Sequence, residues 1–440
     1  MRLKIFLSLV LSTFCAVVQA QQDTATNAPV LLLKDAVDIA LDQNFDIRVA
    51  TVNLKEAKTN NNIGNAGMLP NVSAIGSFNK SLTDAQVHLA TGEVQNRHNA
   101  NSQQLGGAVQ LDWILFDGLR MFVNKDRLNQ LENVGALTLK SQIQTSVSQV
   151  IMSYANVVFQ KEQVIALDTA MALASVRMNI AKKNFEVGTS AKTDYLQAQV
   201  DYNASKTSSL AQKAMLRQAK DSLMLLLGRD QFASFDVEAD FHLDESLNYS
   251  EKDEWIHNNF DVQLAEKQKY LAELNVKLAR GAQMPILDLN GSYNYNRNQN
   301  DAGATLLSRT YGPQVGLNLS LPVFNGLKLQ TQKKVAKLEV NRLDLQYQFT
   351  QARVAALYRI AWRAYQTAVV VLNLEHENIK FAEENVMIQQ ARFRVGVSNM
   401  LELREAESSY IAALARLVNA GYTVKIAETK MLVLENRLIK

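Results

Sequence analysis

Apolar and polar residues repeat along this chain in two rhythms. Between Pro285 and Asn296, Leu287, Leu289, Gly291, Tyr293 and Tyr295 fall on one face and Asp288, Asn290, Ser292, Asn294 and Asn296 on the other. That is the period of two expected of a strand. From Gln314 to Val323 it recurs, with Val315, Leu317, Leu319, Leu321 and Val323 set against Gln314, Gly316, Asn318 and Ser320. Val72, Ala74, Gly76 and Phe78, and then Val109, Leu111, Trp113 and Leu115, give a less regular version. Strands are predicted near 71–80, 104–116, 286–297 and 312–324. The second rhythm is that of a coiled-coil seam. Leu403, Ala406, Tyr410, Ala413, Leu417, Ala420, Val424, Ala427, Met431, Leu434 and Leu438 follow one another in steps of three and four, a period near 3.5. Tyr195, Ala198, Tyr202, Leu216, Ala219, Leu223 and Leu226 form a similar seam, interrupted by Ser205, Ser209 and Gln212. Proline is absent from 71–284 and 323–440, so long helices are permitted and are predicted near 118–186, 193–228, 326–394 and 400–438. The first would be ~100 Å long at ~1.5 Å per residue, more than an ordinary globular domain needs.

The chain also repeats itself. Asn44-Phe45-Asp46-Ile47 returns as Asn259-Phe260-Asp261-Val262, Leu69-Pro70 as Met284-Pro285, and Gly76-Ser77-Phe78 as Gly291-Ser292-Tyr293, all at a spacing of 215. Leu115-Phe116-Asp117-Gly118 matches Val323-Phe324-Asn325-Gly326, and Phe185-Glu186-Val187-Gly188 matches Phe393-Arg394-Val395-Gly396, at a spacing of 208. Each half reads as short helix, hairpin, long helix, turn, long helix. On the helices alone, a helical bundle or scaffold explains the seams equally well.

The start of the chain changes the compartment. Arg2 and Lys4 precede an apolar run from Ile5 to Val18, and Val18-Gln19-Ala20 offers small residues for cleavage. Residues 1–20 are therefore expected to be a signal peptide. Phe14 and Ser12 do not suit a lipobox around Cys15. That cysteine is the single one in the chain, so the mature protein is expected to hold no disulfide. The net charge of +3 becomes +1 without Arg2 and Lys4, which does not fit a nucleic-acid-binding surface. No later apolar run is expected to reach the ~18–20 residues of a membrane helix. A membrane crossing would thus fall to the strands, whose apolar-out, polar-in pattern suits a transmembrane barrel. A half-buried soluble sheet gives the same alternation. Four strands cannot close a barrel, since the smallest use about eight, so several chains would have to contribute.

The opening Leu33-Lys34-Asp35-Ala36-Val37-Asp38-Ile39-Ala40-Leu41-Asp42-Gln43-Asn44, the paired Phe116-Asp117-Gly118 and Phe324-Asn325-Gly326, and the repeated Val-Gly turns followed by an acid resemble the TolC-like outer membrane factor family. The resemblance covers essentially the whole mature chain. It implies a mainly α protein with a membrane β-barrel, in which a duplicated unit forms a homotrimeric twelve-stranded barrel and a twelve-helix periplasmic coiled-coil tunnel. It also implies a passive outer-membrane efflux or type I secretion duct, docked by a periplasmic adaptor (membrane fusion) protein and an inner-membrane pump. The segments expected are 1–20, signal peptide; 21–70, N-terminal segment and first short helices; 71–116, first hairpin; 117–228, first long helix pair; 229–258, equatorial linker; 259–285, short helix of the second repeat; 286–324, second hairpin; and 325–440, second long pair. The alternative from another class is a secreted coiled-coil structural or adhesion protein without a pore.

The far turns read Gly-Thr-Ser-Ala-Lys-Thr-Asp from Gly188 and Gly-Val-Ser-Asn-Met-Leu-Glu from Gly396. The family's aperture acids carry over to Glu402 and Glu405, with Asp194 matching Glu402 in the first half. Three copies of these would ring a narrow axis. Asn399 and Glu402 also have capping-box spacing, which would explain the acid without a pore. Where the family has an interhelical Arg, this chain has Ser398. Val187, Gly188, Thr189, Val395, Gly396, Val397 and Ser398 are expected to form the tip turns and the adaptor's docking surface. Asp117, Gly118, Asn325 and Gly326 are expected at the strand-to-helix turns. His88, His98, His242, His257 and His376 make no metal motif, and His88 and His98 fall in an expected outer loop. No catalytic or phosphate-binding motif is present, so no enzyme, cofactor or metal site is expected.

Overall fold

The computed structural model describes residues 29–229, 235–238, 240, 241, 243, 247, 254–301 and 305–438. The expected signal peptide, Cys15, His242 and much of the expected linker lie outside these residues. The elements in order are β1 (Val30–Leu31), α1 (Leu33–Gln43), α2 (Phe45–Asn60), β2 (Asn71–His88), β3 (Val94–Phe116), α3 (Arg120–Glu186) and α4 (Lys192–Leu226). Then come β4 (Asp236–Val237), α5 (Glu254–Asn258), α6 (Phe260–Gly281), β5 (Ile286–Asn300), β6 (Leu307–Ser320), α7 (Lys328–Arg394) and α8 (Met400–Leu434). The long helices have 67, 35, 67 and 35 residues, so the duplication visible in sequence is also one of helix length.

The contacts divide the chain into two compact units, one of residues 1–45, 146–247 and 363–430, the other of 46–145, 248–362 and 431–440. Both gather segments far apart in sequence.

The first unit has its core where Ala36 and Ala40 of α1 meet Val150, Tyr154, Val157 and Val158 of α3, Leu223 of α4, and Phe235 and Val237. Alanines on α1 let the helix approach closely, and the β-branched valines fill the space. The β1 strand pairs in parallel with β4, Leu31 opposite Val237. The Tyr154 hydroxyl donates to the Leu31 carbonyl at 2.9 Å, and Lys161 bridges Asp236 at 2.9 Å. The polar interruptions in the α4 seam have partners. Ser209 donates to Asp168 of α3 at 2.5 Å, and Gln212 to Gln160 at 2.5 Å.

In the second unit the strands form one antiparallel sheet in the order β2-β3-β5-β6. The middle pairing, β3 to β5, joins the two repeats, with Leu111 opposite Gly291 and Val109 opposite Tyr293. Each matched pair points to the same, apolar face. Phe78 at 64%, Leu317 at 67% and Val315 at 76% exposure remain open on that face. In the same unit, Val262 of α6 packs with Ile256 and Val354, and the Trp255 and Tyr358 rings lie 4.3 Å apart.

The first hairpin corrects the expectation. Its strands run to His88 and from Val94, through a polar stretch expected to be loop, so His88 and His98 lie in strands. The ladder continues to His88 opposite Val94, with one irregularity between Thr83 and Ala85. Backbone pairing needs no apolar face once the hairpin is nucleated, and for that reason the side-chain pattern missed it. Within the expected linker, 229–258, the chain forms β4 and α5. The α8 helix ends at Leu434 and α7 starts at Lys328, short of the bounds expected. Finally, α3 does contain an 18-residue window apolar enough to cross a bilayer by length and composition, with mean hydropathy 1.4. A long helix that packs along much of its length meets the same criterion, and valine and alanine supply the hydropathy here.

Candidate functional site at the helix tips

Helix α3 ends in a left-handed glycine. Gly188 has φ +79°, the Thr189 amide donates to the Asn184 carbonyl at 2.8 Å, and the Val187 amide to Lys183 at 3.0 Å. At the end of α7, Gly396 has φ +78° and the Val397 amide reaches the Arg392 carbonyl at 2.9 Å. Both are glycine C-caps that satisfy the last carbonyls of a helix. No atom lies within 4 Å of where a Cβ would stand at either glycine, so the backbone angle and not crowding selects the residue. Val187, Val395, Val397 and Leu401 project with about 70% exposure.

The tip acids differ from one another. The Glu402 amide donates to Asn399 Oδ1 at 2.9 Å, while Asn399 Nδ2 donates to Glu402 Oε1 at 2.9 Å. Ser398 Oγ donates to Glu402 Oε2 at 2.8 Å, and Arg392 stands 3.8 Å from the same oxygen. The carboxylate is thus held by its own turn, in the capping geometry that the spacing allowed. In the first tip, Ser190 Oγ donates to Asp194 Oδ2 at 2.7 Å, and the helix start at Ala191 has no side-chain cap. Phe185 stacks on Tyr195 at 6.5 Å. Glu405 is exposed and has no hydrogen bond or ion pair among the described residues. Sequence reasoning took Ser398 as the loss of an arginine and as part of the tip turn, not as a partner of Glu402. The signal for its role was present, because Ser190 and Asp194 repeat as Ser398 and Glu402 at the same spacing of 208.

Further along the same unit lies a group that the sequence reading missed. Arg177 of α3, 5% exposed, donates through Nη1 to Glu407 of α8 and through Nη2 to Asp201 of α4 at 3.1 Å. Arg404 stands 3.9 Å from Asp201. Burial pushes the Glu407 carboxyl up, against the opposing pull of Arg177. The Arg177 Nε is buried without an acceptor. One guanidinium therefore ties three helices together. The available clue was Glu407 itself, four residues after Leu403 and three before Tyr410, on the apolar face of α8.

The strand-to-helix turns match one another in backbone. The Met121 amide donates to Asp117 Oδ1 at 3.1 Å and the Leu329 amide to Asn325 Oδ1 at 3.4 Å. Gly118 and Gly326 have φ +73° and +65°, and the following Leu119 and Leu327 are also left-handed. The repeated Asn-Phe-Asp motif caps long-helix ends. Asn44 Nδ2 donates to the Leu226 carbonyl at 2.7 Å, and Asn259 Nδ2 to the Leu434 carbonyl at 3.0 Å. Among the described residues, no group of three or more His, Cys, Asp or Glu could hold a metal.

The family model described as outer membrane efflux protein matches residues 36–229 and 253–434, most of the chain. The chain belongs to this family. Among relatives, the outer membrane efflux protein BepC of Brucella suis biovar 1 is 20% identical over 372 residues, covering 84% of this chain and 77% of that protein. Outer membrane protein TolC of Escherichia coli K12 is 22% identical over 353 residues, covering 76% and 69%. The fold is that of CusC, described in terms of transmembrane channel formation, with a TM-score of 0.75 at 17% identity over 95% of both chains. The Campylobacter jejuni CmeC outer membrane channel gives 0.74 at 19% identity, over 92% and 85%. As an outer membrane efflux protein the chain resides in the outer membrane, with its long helices on the periplasmic side. Membership excludes the reading as a secreted structural or adhesion protein.

Proposed function

We propose that three copies of this chain form a passive outer-membrane duct, the exit of a tripartite efflux or type I secretion system. The observation that carries this is the sheet. It has four strands, an exposed apolar face, and two unpaired edges at β2 and β6. In a bilayer every backbone group must be paired, which an open edge fails to do. Four strands are too few to close alone, and three copies give twelve. Tunnel walls come from the four long helices of each copy, and energy comes from an inner-membrane pump. The duct uses no cofactor and performs no reaction of its own.

The tip turns 187–189 and 395–398 are the proposed docking surface for a periplasmic adaptor, supported by the exposed Val187, Val395 and Val397. The proposed aperture is ringed by Glu402, Glu405 and Asp194. Of these, Glu405 offers the free charge, while Glu402 and Asp194 are restrained by Ser398 and Ser190. Acid rings of this kind attract cations and slow their passage. The test is single-channel recording of the detergent-purified protein in planar bilayers. Glu405→Ala should raise conductance and weaken block by divalent cations more than Asp194→Ala does. No conductance from the wild-type protein would overturn the duct, and an unaltered Glu405→Ala channel would remove that acid from the aperture.

A further inference from the structure

We infer that the junction between β6 and α7 binds the headgroup of an anionic glycerophospholipid in the periplasmic leaflet of the outer membrane, at one site per chain. The inference rests on the proposed reading of the sheet's apolar face as the lipid-facing one, and it adds a ligand at the border of that face.

The apolar stripe of β6 continues past the strand to Val323, which is 88% exposed, and the adjoining Phe324 is 80% exposed. Both border a recess of about 490 Å³ that Leu327, Lys333, Lys334 and Lys337 also line. Between residues 302 and 338 the sequence holds Arg309, Lys328, Lys333, Lys334 and Lys337 and no acid. The first acid beyond them, Glu339, is held by Arg342, whose Nε donates to it at 2.8 Å. Among the described residues, the side chains of the four lysines have no hydrogen bond or ion pair. Lys328 opens α7, where the helix macrodipole disfavours a cation, and the first turn has no acid to offset it. These charges therefore do not serve the helix. They call for an anion from outside the chain. A free phosphate would meet the ammonium groups and leave the apolar border in water, whereas a phospholipid answers both. Its phosphodiester sits among the lysines and its acyl chains lie along Val323 and Phe324. Lys333 and Lys334 are at most about 9 Å along α7 from its first residue. Their flexible stems bring that distance within reach of a headgroup layer roughly 5–8 Å deep.

Repeat one has the same junction without the site. At the spacing of 208, the residues equivalent to Lys333, Lys334 and Lys337 are Lys125, Asp126 and Asn129. Lys125 donates to Asn61 and, at 2.8 Å, to Asn129. Asp126 accepts from the Tyr270 hydroxyl at 3.2 Å. A Cβ on Gly118 would stand 2.6 Å from Met284 Cβ, whereas nothing lies within 4 Å of the same point at Gly326. The first junction is closed and its polar groups are satisfied inside the chain. The second is open and its cations are unanswered, which sets the count at one.

The test uses the full-length protein released from outer membranes in mild detergent. Native mass spectrometry counts the phosphatidylglycerol retained per chain as that lipid is added, with zwitterionic phosphatidylcholine for comparison. The wild type should hold one phosphatidylglycerol per chain and several-fold less phosphatidylcholine. Combining Lys333→Gln, Lys334→Gln and Lys337→Gln should lower phosphatidylglycerol retention at least about tenfold, since each Lys facing anionic lipid is worth roughly fivefold in affinity. Lys125→Gln should change nothing, and neither should the exposed, charge-matched set Lys206→Gln, Lys380→Gln and Lys430→Gln. A second measurement does not depend on the folding of the triple variant. With p-benzoylphenylalanine in place of Phe324, illumination of outer-membrane vesicles should yield a chain heavier by one phospholipid. Equal retention by the triple variant and the wild type, or equal retention of the two lipids, overturns the headgroup site. Cross-linking from residue 324 to a second chain and not to lipid assigns the recess to a neighbouring copy and overturns the lipid occupant. A wild-type protein that flies as a single chain and still holds one phosphatidylglycerol upholds the site and counts against the three-copy duct.

Discussion

At the ends of α3 and α7 the chain makes one turn twice, with nearly equal glycine angles and the same pattern of amides returning to helix carbonyls. The side chains around the two turns are not equal. In the second tip, Asn399, Ser398 and Arg392 converge on Glu402. In the first, Ser190 alone among the described residues meets the Asp194 side chain, and the helix starts at an uncapped alanine. The difference is larger a few turns away. Arg177, Asp201 and Glu407 form a buried ionic cluster, whereas their repeat equivalents are Asn385, Ser409 and Gln199, all exposed and uncharged. Duplication has preserved what the backbone demands. It has not preserved the charges, and the ionic cluster that fastens α8 to the first helix pair has no charged counterpart at the equivalent residues.

The largest effect should come from breaking that asymmetry. Arg177→Met leaves the Glu407 carboxylate buried beside no cation, a change that costs about 3–5 kcal/mol. Thermal unfolding of the detergent-solubilised protein, followed by helical circular dichroism, should register it, while Asn385→Met should cost under about 0.5 kcal/mol. Adding Glu407→Leu to Arg177→Met should restore most of the loss. Equal losses at positions 177 and 385 would erase the comparison.

The glycines should behave alike. Gly188→Ala and Gly396→Ala each force a side chain into the left-handed region, at a cost of roughly 1–2 kcal/mol, measured the same way. A difference beyond about 1 kcal/mol between them would mean that the turns are not the same structure. The caps should instead part in sign. Asn399→Ala removes a cap worth about 1 kcal/mol, while Ala191→Asp supplies one to the first tip and should stabilise it by a similar or smaller amount.

The smallest effect is one of pH. The Ser209 hydroxyl and then Lys213 hold the Asp168 carboxyl below its usual range. An acid whose folded pKa is depressed stabilises the fold above its unfolded value, here 3.8, and that contribution is lost as pH falls through the lower folded value. Asp168→Asn should therefore flatten the loss of stability below about pH 4. Glu407 has the opposite sign, because burial raises it, and its contribution declines as pH rises through the folded value.

Long helices were legible because proline is absent over hundreds of residues and the apolar seam holds its period. The strands were legible where an apolar face alternates, at Leu287 to Tyr295 and Val315 to Val323. They were illegible from Ser81 to Ser102, where backbone pairing alone extends the hairpin. At the tips, the glycines and Glu402's capping partner could be read from spacing. Arg177 could not, because its partners lie 24 and 230 residues away, and no local pattern announces a contact between three helices. The motif at Asn44 and Asn259 was visible as a repeat, but its purpose as a cap for Leu226 and Leu434 needed the fold.

The central claim is that the sheet is completed only between copies and in contact with lipid. Native mass spectrometry of the protein released from outer membranes in mild detergent tests it most directly. The account predicts a species of three mature chains that loses its fold when the detergent is withdrawn. A folded single chain that persists in amphiphile-free buffer would contradict it.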